Sequence, residues 1–189
     1  MLDVALQFLT DELNSYLLAR TGSDSVVVKL TRVVDEAGKY AVEEGSLGAT
    51  IINIEEERAF RAQLPDYNFK NGQHEVLEPA LKLNLHVLFS ANLKLYDQSL
   101  KYLAHILTYF QARTVFTAEG YPALDSRIER LTVELQSLSY EQLNQVWAFV
   151  GGKQLPSAIY KVRMISLQDV SQTTIQPPLT SINANFHTK

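Results

Sequence analysis

The chain contains no cysteine, which excludes disulfides, thiolate catalysis and cysteine-ligated zinc or iron–sulfur sites. It also lacks a basic excess. Lys and Arg number 17 against 21 Asp and Glu, a formal charge of −4, whereas a generic nucleic-acid binder carries the opposite sign. No nucleic-acid partner is therefore expected. No apolar run approaches the ~20 residues of a membrane span. Asp3, Asp11 and Glu12 interrupt the first twenty residues, unlike the basic start and unbroken apolar stretch of a secretory signal, so synthesis and folding in the cytoplasm are expected. The four histidines are His74, His86, His105 and His187. None stands four residues from another, so no HExxH metal pair exists. His86 and His105 fall on the polar faces of their elements and read as surface or rim residues. The one adjacent glycine pair, Gly151-Gly152, follows a helical pattern instead of opening one and reads as a helix stop, not a phosphate loop. No serine occupies a G-x-S-x-G elbow. These absences leave no catalytic residue, no cofactor and no metal ligand to nominate.

What is present is an ordinary soluble composition. The chain has 189 residues, 46% apolar and 20% charged, enough to bury roughly 70% of its unfolded surface without staples. Leu2, Ala5, Leu6, Leu9, Leu13, Tyr16 and Leu17 recur at helical spacing, predicting an amphipathic helix that ends near Gly22. Val26–Val34 is short and β-branched, a strand signature, and a polar turn follows. Residues 48–61, GATIINIEEERAFR, are apolar and then charged, as in a strand that starts in the core and projects beyond it. Residues 62–79 show no periodicity and read as a long, functional or mobile loop. Leu81–Ser90 alternates Leu81, Leu83, Leu85, Val87 and Phe89 with Lys82, Asn84, His86 and Ser90, and Leu88 is the one apolar residue on the second face. Such a strand packs one face on the core. A helix is expected over about 93–113, with Leu95, Tyr102, Leu103, Ile106, Leu107 and Phe110 as its apolar stripe. Arg127–Ser137 alternates through Leu131, Val133 and Leu135. Ser139-Tyr140-Glu141-Gln142 has capping-box spacing before a short helix in which Trp147 is a core anchor. Ala158–Leu167 is a last core strand. The order α-β-β-β-α-β-α-β predicts an α+β fold, with a mixed or antiparallel sheet of about five strands and helices packed against it.

Two charge groupings invite a functional reading. Glu55, Glu56 and Glu57 alternate across a strand, so they read as a solvated run facing Arg58 and Arg61 of a neighbour. Lys29, Arg32, Lys161 and Arg163 would line a basic strip if their strands pair; otherwise they are scattered surface charge. Residues 169–189 carry only Asp169 and Lys189 as charges, with isolated Ile175, Leu179, Ile182 and Phe186. Two readings of that tail stand: a disordered terminus, or an arm lying on a neighbouring subunit.

Four features taken in order carry a resemblance. They are the opening MLDVALQFLTDELNSYL helix, the acidic LGATIINIEEER strand, a polar link into LKLNLHVLFSA, and LSYEQLNQVWAFVGGKQLPSAIYKVRMISL. In the last, a helix with a Leu143 to Trp147 step runs into a Pro156-Ser157-x-x-Tyr160-x-Val162-Arg163 strand. Over residues 1–168 the chain resembles the N-terminal domain family of the cap proteins, or tube/sheath terminators, of extracellular contractile injection systems, which are phage-tail-like particles. Glu78-Pro79-Ala80 departs from the family, whose members carry a Pro-rich lead into the leucine–asparagine–leucine strand. The resemblance implies a tail-terminator-like fold and a structural protein, not an enzyme. Its partners would be further copies of itself in a ring, a homo-hexamer, together with the inner tube protein and the sheath protein. It would end and couple tube and sheath at the distal end. Membrane contact would arise only through the assembled particle, released or membrane-attached. Aromatic and arginine side chains carry much of the energy in such interfaces, so Phe60, Arg61, Tyr67 and Phe69 in the link, and Ile175 and Phe186 in the tail, are the candidate partner contacts. The alternatives are a phage tail-completion or membrane-linking adaptor, and a small soluble module with a ligand near residues 62–79.

Overall fold

The computed structural model describes residues 1–58, 66–70, 73–77, 81–167 and 174–176, with backbone alone for 66–70, 73–77, 164–167 and 174–176. In chain order the elements are α1 Leu2–Thr21, β1 Val28–Leu30, β2 Ser46–Glu56, β3 Asp66–Lys70, β4 Gln73–Leu77, β5 Leu81–Asn92, α2 Tyr96–Ala112, β6 Val115–Thr117, β7 Arg130–Gln136, α3 Tyr140–Val150, β8 Ser157–Leu167 and β9 Thr174–Gln176. Six strands form one sheet in the order β1-β2-β5-β8-β7-β6. The β1–β2 pair is parallel and the others antiparallel, so the sheet is mixed and the fold α+β.

Local chemistry explains the element ends. Gly22 takes a left-handed conformation (φ 68°) and returns its N–H to the Leu18 carbonyl, a conformation that glycine adopts without a Cβ penalty. Ser139 and Gln142 form the reciprocal capping box that the spacing predicts. The strand expected over Val26–Val34 is only three residues long. Val33 and Val34 leave the sheet and turn under α3, where they pack in the second core cluster.

The sheet is covered on both faces. On one face α1 and α2 pack on Leu47, Ala49, Leu85, Val87, Phe89, Val133, Tyr160 and Val162 in the larger core. On the other, α3 seats Trp147 on Val33, Leu88 and Ile159. The one-sided reading of β5 is therefore corrected. Leu88 and Ser90 are as buried as Val87 and Phe89, because β5 is central and α3 with its neighbouring loop closes over its second half. On the first half of that face His86 is only partly buried, whereas Asn84 is buried and donates to Glu57 Oε2 at 3.0 Å.

The outer edge of β1 carries a specific cap. The Asn14 amide donates to the Val28 carbonyl at 3.0 Å and accepts from the Val28 N–H at 2.7 Å. One side chain thus replaces the ladder partner that the edge strand lacks. Asn14→Ala leaves both backbone groups without that partner, and is expected to cost about 1–3 kcal/mol. The check is a lower urea midpoint with an unchanged denaturant slope.

A second sheet has the order β3-β4-β9; in the chain its strands follow Glu56 of β2 and Leu167 of β8 and precede Leu81 of β5. Residues 62–79 are thus not an unpatterned loop throughout. They contain a hairpin in which Lys70 pairs with Gln73, and the sequence between them is Asn71-Gly72, a favoured dipeptide for two-residue hairpin connections. β9 falls inside the tail and pairs antiparallel with β4 of the same chain. Residues 177–189 lie outside the described residues.

Candidate assembly surfaces

The four cations that could have lined a basic strip do not form one. β1 and β8 are separated by β2 and β5, and each cation meets its own acid. Lys29 pairs with Glu43 at 2.5 Å, Arg32 with Glu36 at 3.8 Å, Lys161 with Glu55 at 2.8 Å and Arg163 with Glu134 at 3.1 Å. The acidic run is likewise tied within the chain. Glu55 also contacts His86 Nε2 at 3.1 Å, Glu56 meets Arg58 at 3.3 Å, and Glu57 accepts a hydrogen bond from Asn84. The reading of this run as facing arginines of a neighbour is corrected: register places Glu55 within two strands of Lys161.

Glu55 is the electrostatic centre of this face. The Lys161 ammonium, then His86, hold its carboxyl down from 4.5 to about 2. A carboxyl depressed in the folded state contributes stability above its unfolded pKa and loses it as pH falls toward the folded value. Wild type is therefore expected to lose stability between pH 4.5 and 2 more steeply than Glu55→Gln. With Glu55 42% exposed, solvent screening limits the difference to about 1 kcal/mol or less. Paired urea titrations at pH 7, 4 and 2.5 would measure it. A constant gap between the two proteins across that range would sink the assignment.

No group of three His, Asp or Glu able to hold a metal occurs among the described residues. Burial pushes the hydroxyls of Tyr109 and Tyr160 upward, the latter to about 12, so neither supplies a phenolate at neutral pH. A groove of ≈ 370 Å³ along α1 is lined by Asp3, Gln7, Phe8, Asp11, Glu12 and Leu30 with two small apolar residues, and contains no serine, lysine or histidine.

The candidate contact residues fall in different places. Tyr67 and Phe69 occupy β3, in register with Val76 and His74, and Ile175 occupies β9 opposite Glu75. The backbone thus gathers three of the six candidates onto one small sheet. Phe60, Arg61 and Phe186 lie outside the described residues. Sequence reasoning missed a separate set of exposed apolar side chains. Tyr140 is 94% exposed, Phe149 81% and Leu135 53%. Leu95 and Leu107, assigned to the buried stripe of α2, are also exposed, because α2 buries Ser99, Tyr102, Leu103, Ile106, Tyr109 and Phe110 instead. The only sequence signal for Tyr140 and Phe149 was their position off the Leu143–Trp147 face of α3.

Two helices cover one face of a mixed six-stranded sheet and one helix covers the other, an α+β arrangement. The chain belongs to the Pvc16 N-terminal domain family, whose sequence profile matches residues 5–181. Solved structures share the fold, and two of them illustrate it. One is the PVC sheath/tube terminator of an extracellular contractile injection system in its extended state, at a TM-score of 0.65 and 14% identity, over 100% of this chain and 64% of that one. The other is the tube-terminating cap of the anti-feeding prophage, at 0.61 and 13%, over 94% of this chain and 60% of that one. The chain thus spans less than two thirds of the length of either. Among curated proteins none matches.

Proposed function

We propose that this chain is a structural cap domain that terminates the inner tube of a contractile injection particle, and not an enzyme. The observation that carries the reading is the extent of the likeness. Its whole length aligns with a sheath/tube terminator, and the family match runs from residue 5 to 181. On this reading copies of the chain assemble head to tail into a closed ring, a homo-hexamer, on the last ring of tube protein. Sheath protein is the second partner, and assembly begins in the cytoplasm before the particle is released or attached. A closed cyclic ring needs two different surfaces per subunit. The hairpin-bearing small sheet, and the exposed apolar residues around α3 and β7, supply candidates for them.

The test begins with the mass in solution across concentration. A homo-hexamer of 21.3 kDa chains is about 128 kDa. The second step adds purified tube protein and measures tube lengths by electron microscopy. Rings at tube ends and shortened tubes are expected, including where the chain alone is monomeric and the tube templates the ring. Tubes whose ends stay bare and whose length distribution is unchanged would sink the reading.

A further inference from the structure

The β7 edge of the main sheet is only half covered. β6 pairs with Arg130, Leu131 and Thr132, and the last backbone bond on that side is from Val133 N–H to the Thr114 carbonyl at 2.8 Å. Alternation along an antiparallel ladder points the Leu135 N–H and carbonyl to the same side as those of Val133, where they meet no backbone partner among the described residues. The open edge is flanked by apolar side chains. Leu107, Leu135, Leu138 and Leu143 line a groove of ≈ 260 Å³, room for one aromatic side chain. Leu107 and Leu138 are 38% and 37% exposed. An open strand edge beside an apolar groove is the surface that strand addition uses.

The chain itself carries a segment of matching chemistry. Ser181-Ile182-Asn183-Ala184-Asn185-Phe186 alternates polar and apolar residues with a period of two, following Pro177-Pro178. This is the pattern of a strand with one apolar face. No Asp, Glu, Lys or Arg occurs from Val170 to Thr188, so the segment brings no charge to an apolar site. We propose that residues 181–186 of one copy add as a strand to the open β7 edge of a neighbouring copy, with Ile182 and Phe186 against Leu107, Leu135 and Leu138.

The topology favours a neighbour over the same chain. In the small sheet Gln176 pairs with His74, at the end of β4 remote from β5. Only three residues join Leu77 of β4 to Leu81, which pairs with Leu167, so the small sheet is tethered at the Leu167 end of β8. The open part of β7 is level with Ile159, near the start of β8. From Leu167 to Ile159 is about 26 Å of strand, whereas the six residues from Gln176 to Ile182 reach only about 20 Å. This inference rests on the ring reading in one respect, that a second copy lies alongside.

The absence of cysteine gives a clean test in the full chain. A Gln136→Cys, Asn183→Cys variant is treated with a short bismaleimide, whose reach tolerates a register slip. It is treated alone and with tube protein, beside an Asp24→Cys, Asn183→Cys control. Covalent multimers at about ten times the control yield are expected, and adding Ile182→Asp and Phe186→Asp should reduce them about tenfold while circular dichroism is unchanged. Multimers no more abundant than in the control, multimers indifferent to the aspartates, or a product linked only within one chain would each overturn the proposal. Light scattering before crosslinking separates the two readings. A ring without this crosslink leaves the cap reading standing and removes the strand addition. A chain monomeric with and without tube protein removes both.

Discussion

Phe116→Ala is expected to destabilise the protein by about 3–5 kcal/mol, a large share of the 5–15 kcal/mol typical of a domain. Phe116 sits on β6, which holds to the sheet through three residue pairs with β7. The ring is fully buried and is enclosed by other rings: Phe8 edge-on at 5.7 Å, Tyr121 at 4.9 Å, Tyr109 at 6.3 Å and Phe110 at 6.5 Å. These rings come from α1, from α2 and from the loop after β6, so one side chain ties three separate segments to the edge of the sheet. Truncation removes the apolar burial and leaves a cavity whose aromatic walls are rigid and collapse poorly. The neighbouring Val115 is exposed, and Val115→Ala should change stability by less than about 1 kcal/mol. Urea midpoints for the two variants measure the contrast. A Phe116→Ala loss no larger than that of Val115→Ala would show that the ring cluster does not anchor the edge.

The parts of the fold that the sequence displayed are those governed by period. The apolar spacing along α1 gave a helix from Leu2 to Thr21, ended by Gly22. The alternation of Leu81 to Phe89 gave the central strand, and Ser139 with Gln142 gave the start of α3. What was not legible depends on neighbours. Nothing local to Leu88 says that Trp147 covers it, because those residues meet only through the sheet order. Val33 and Val34 have strand chemistry, yet packing beneath α3 takes them out of the sheet. The hairpin β3–β4 was legible in principle. Asn71-Gly72 between two short segments is a local turn signal, and the length of the unpatterned link obscured it.

The candidate surface was less legible than the fold. Interfaces are chosen by exposure, and exposure of an apolar residue on an amphipathic helix depends on which side the sheet occupies. Leu107 has the spacing of a buried residue but looks outward over β7. Arg163 and Lys161 read as part of a basic strip or as scattered surface charge until register set them beside Glu134 and Glu55. The resemblance of four ordered segments carried the functional reading further than composition did, since the excluded chemistries left several non-catalytic roles equally open.

Gly48→Val is expected to destabilise the protein by about 3 kcal/mol or more, and Gly48→Ala by about 1–3 kcal/mol, in the range of overpacking. Gly48 lies on β2 between Lys29 of β1 and Ser90 of β5. A Cβ there would sit 2.6 Å from Val42 Cγ2, 3.2 Å from Ser90 Oγ and 3.3 Å from Thr31 Cγ2. Strand propensity argues the other way, since replacing a strand glycine by alanine gains about 0.5–1 kcal/mol. Relief of the clash would need Val42 to move, and Val42 is held. Its side chain is buried, its carbonyl accepts from Asn92 Nδ2 at 2.7 Å, and the adjacent Ala41 N–H bonds to the Val33 carbonyl at 2.9 Å. Because Val33 packs beneath Trp147, pushing Val42 outward strains the contact of α3 with the sheet. The clash therefore outweighs the propensity, and the loss should appear as a lowered melting temperature with a loosened Trp147 environment by fluorescence. An unchanged or raised melting temperature for Gly48→Val would show that the segment from Thr31 to Val42 yields freely, and would sever the proposed link between the β2 strand and the seating of α3.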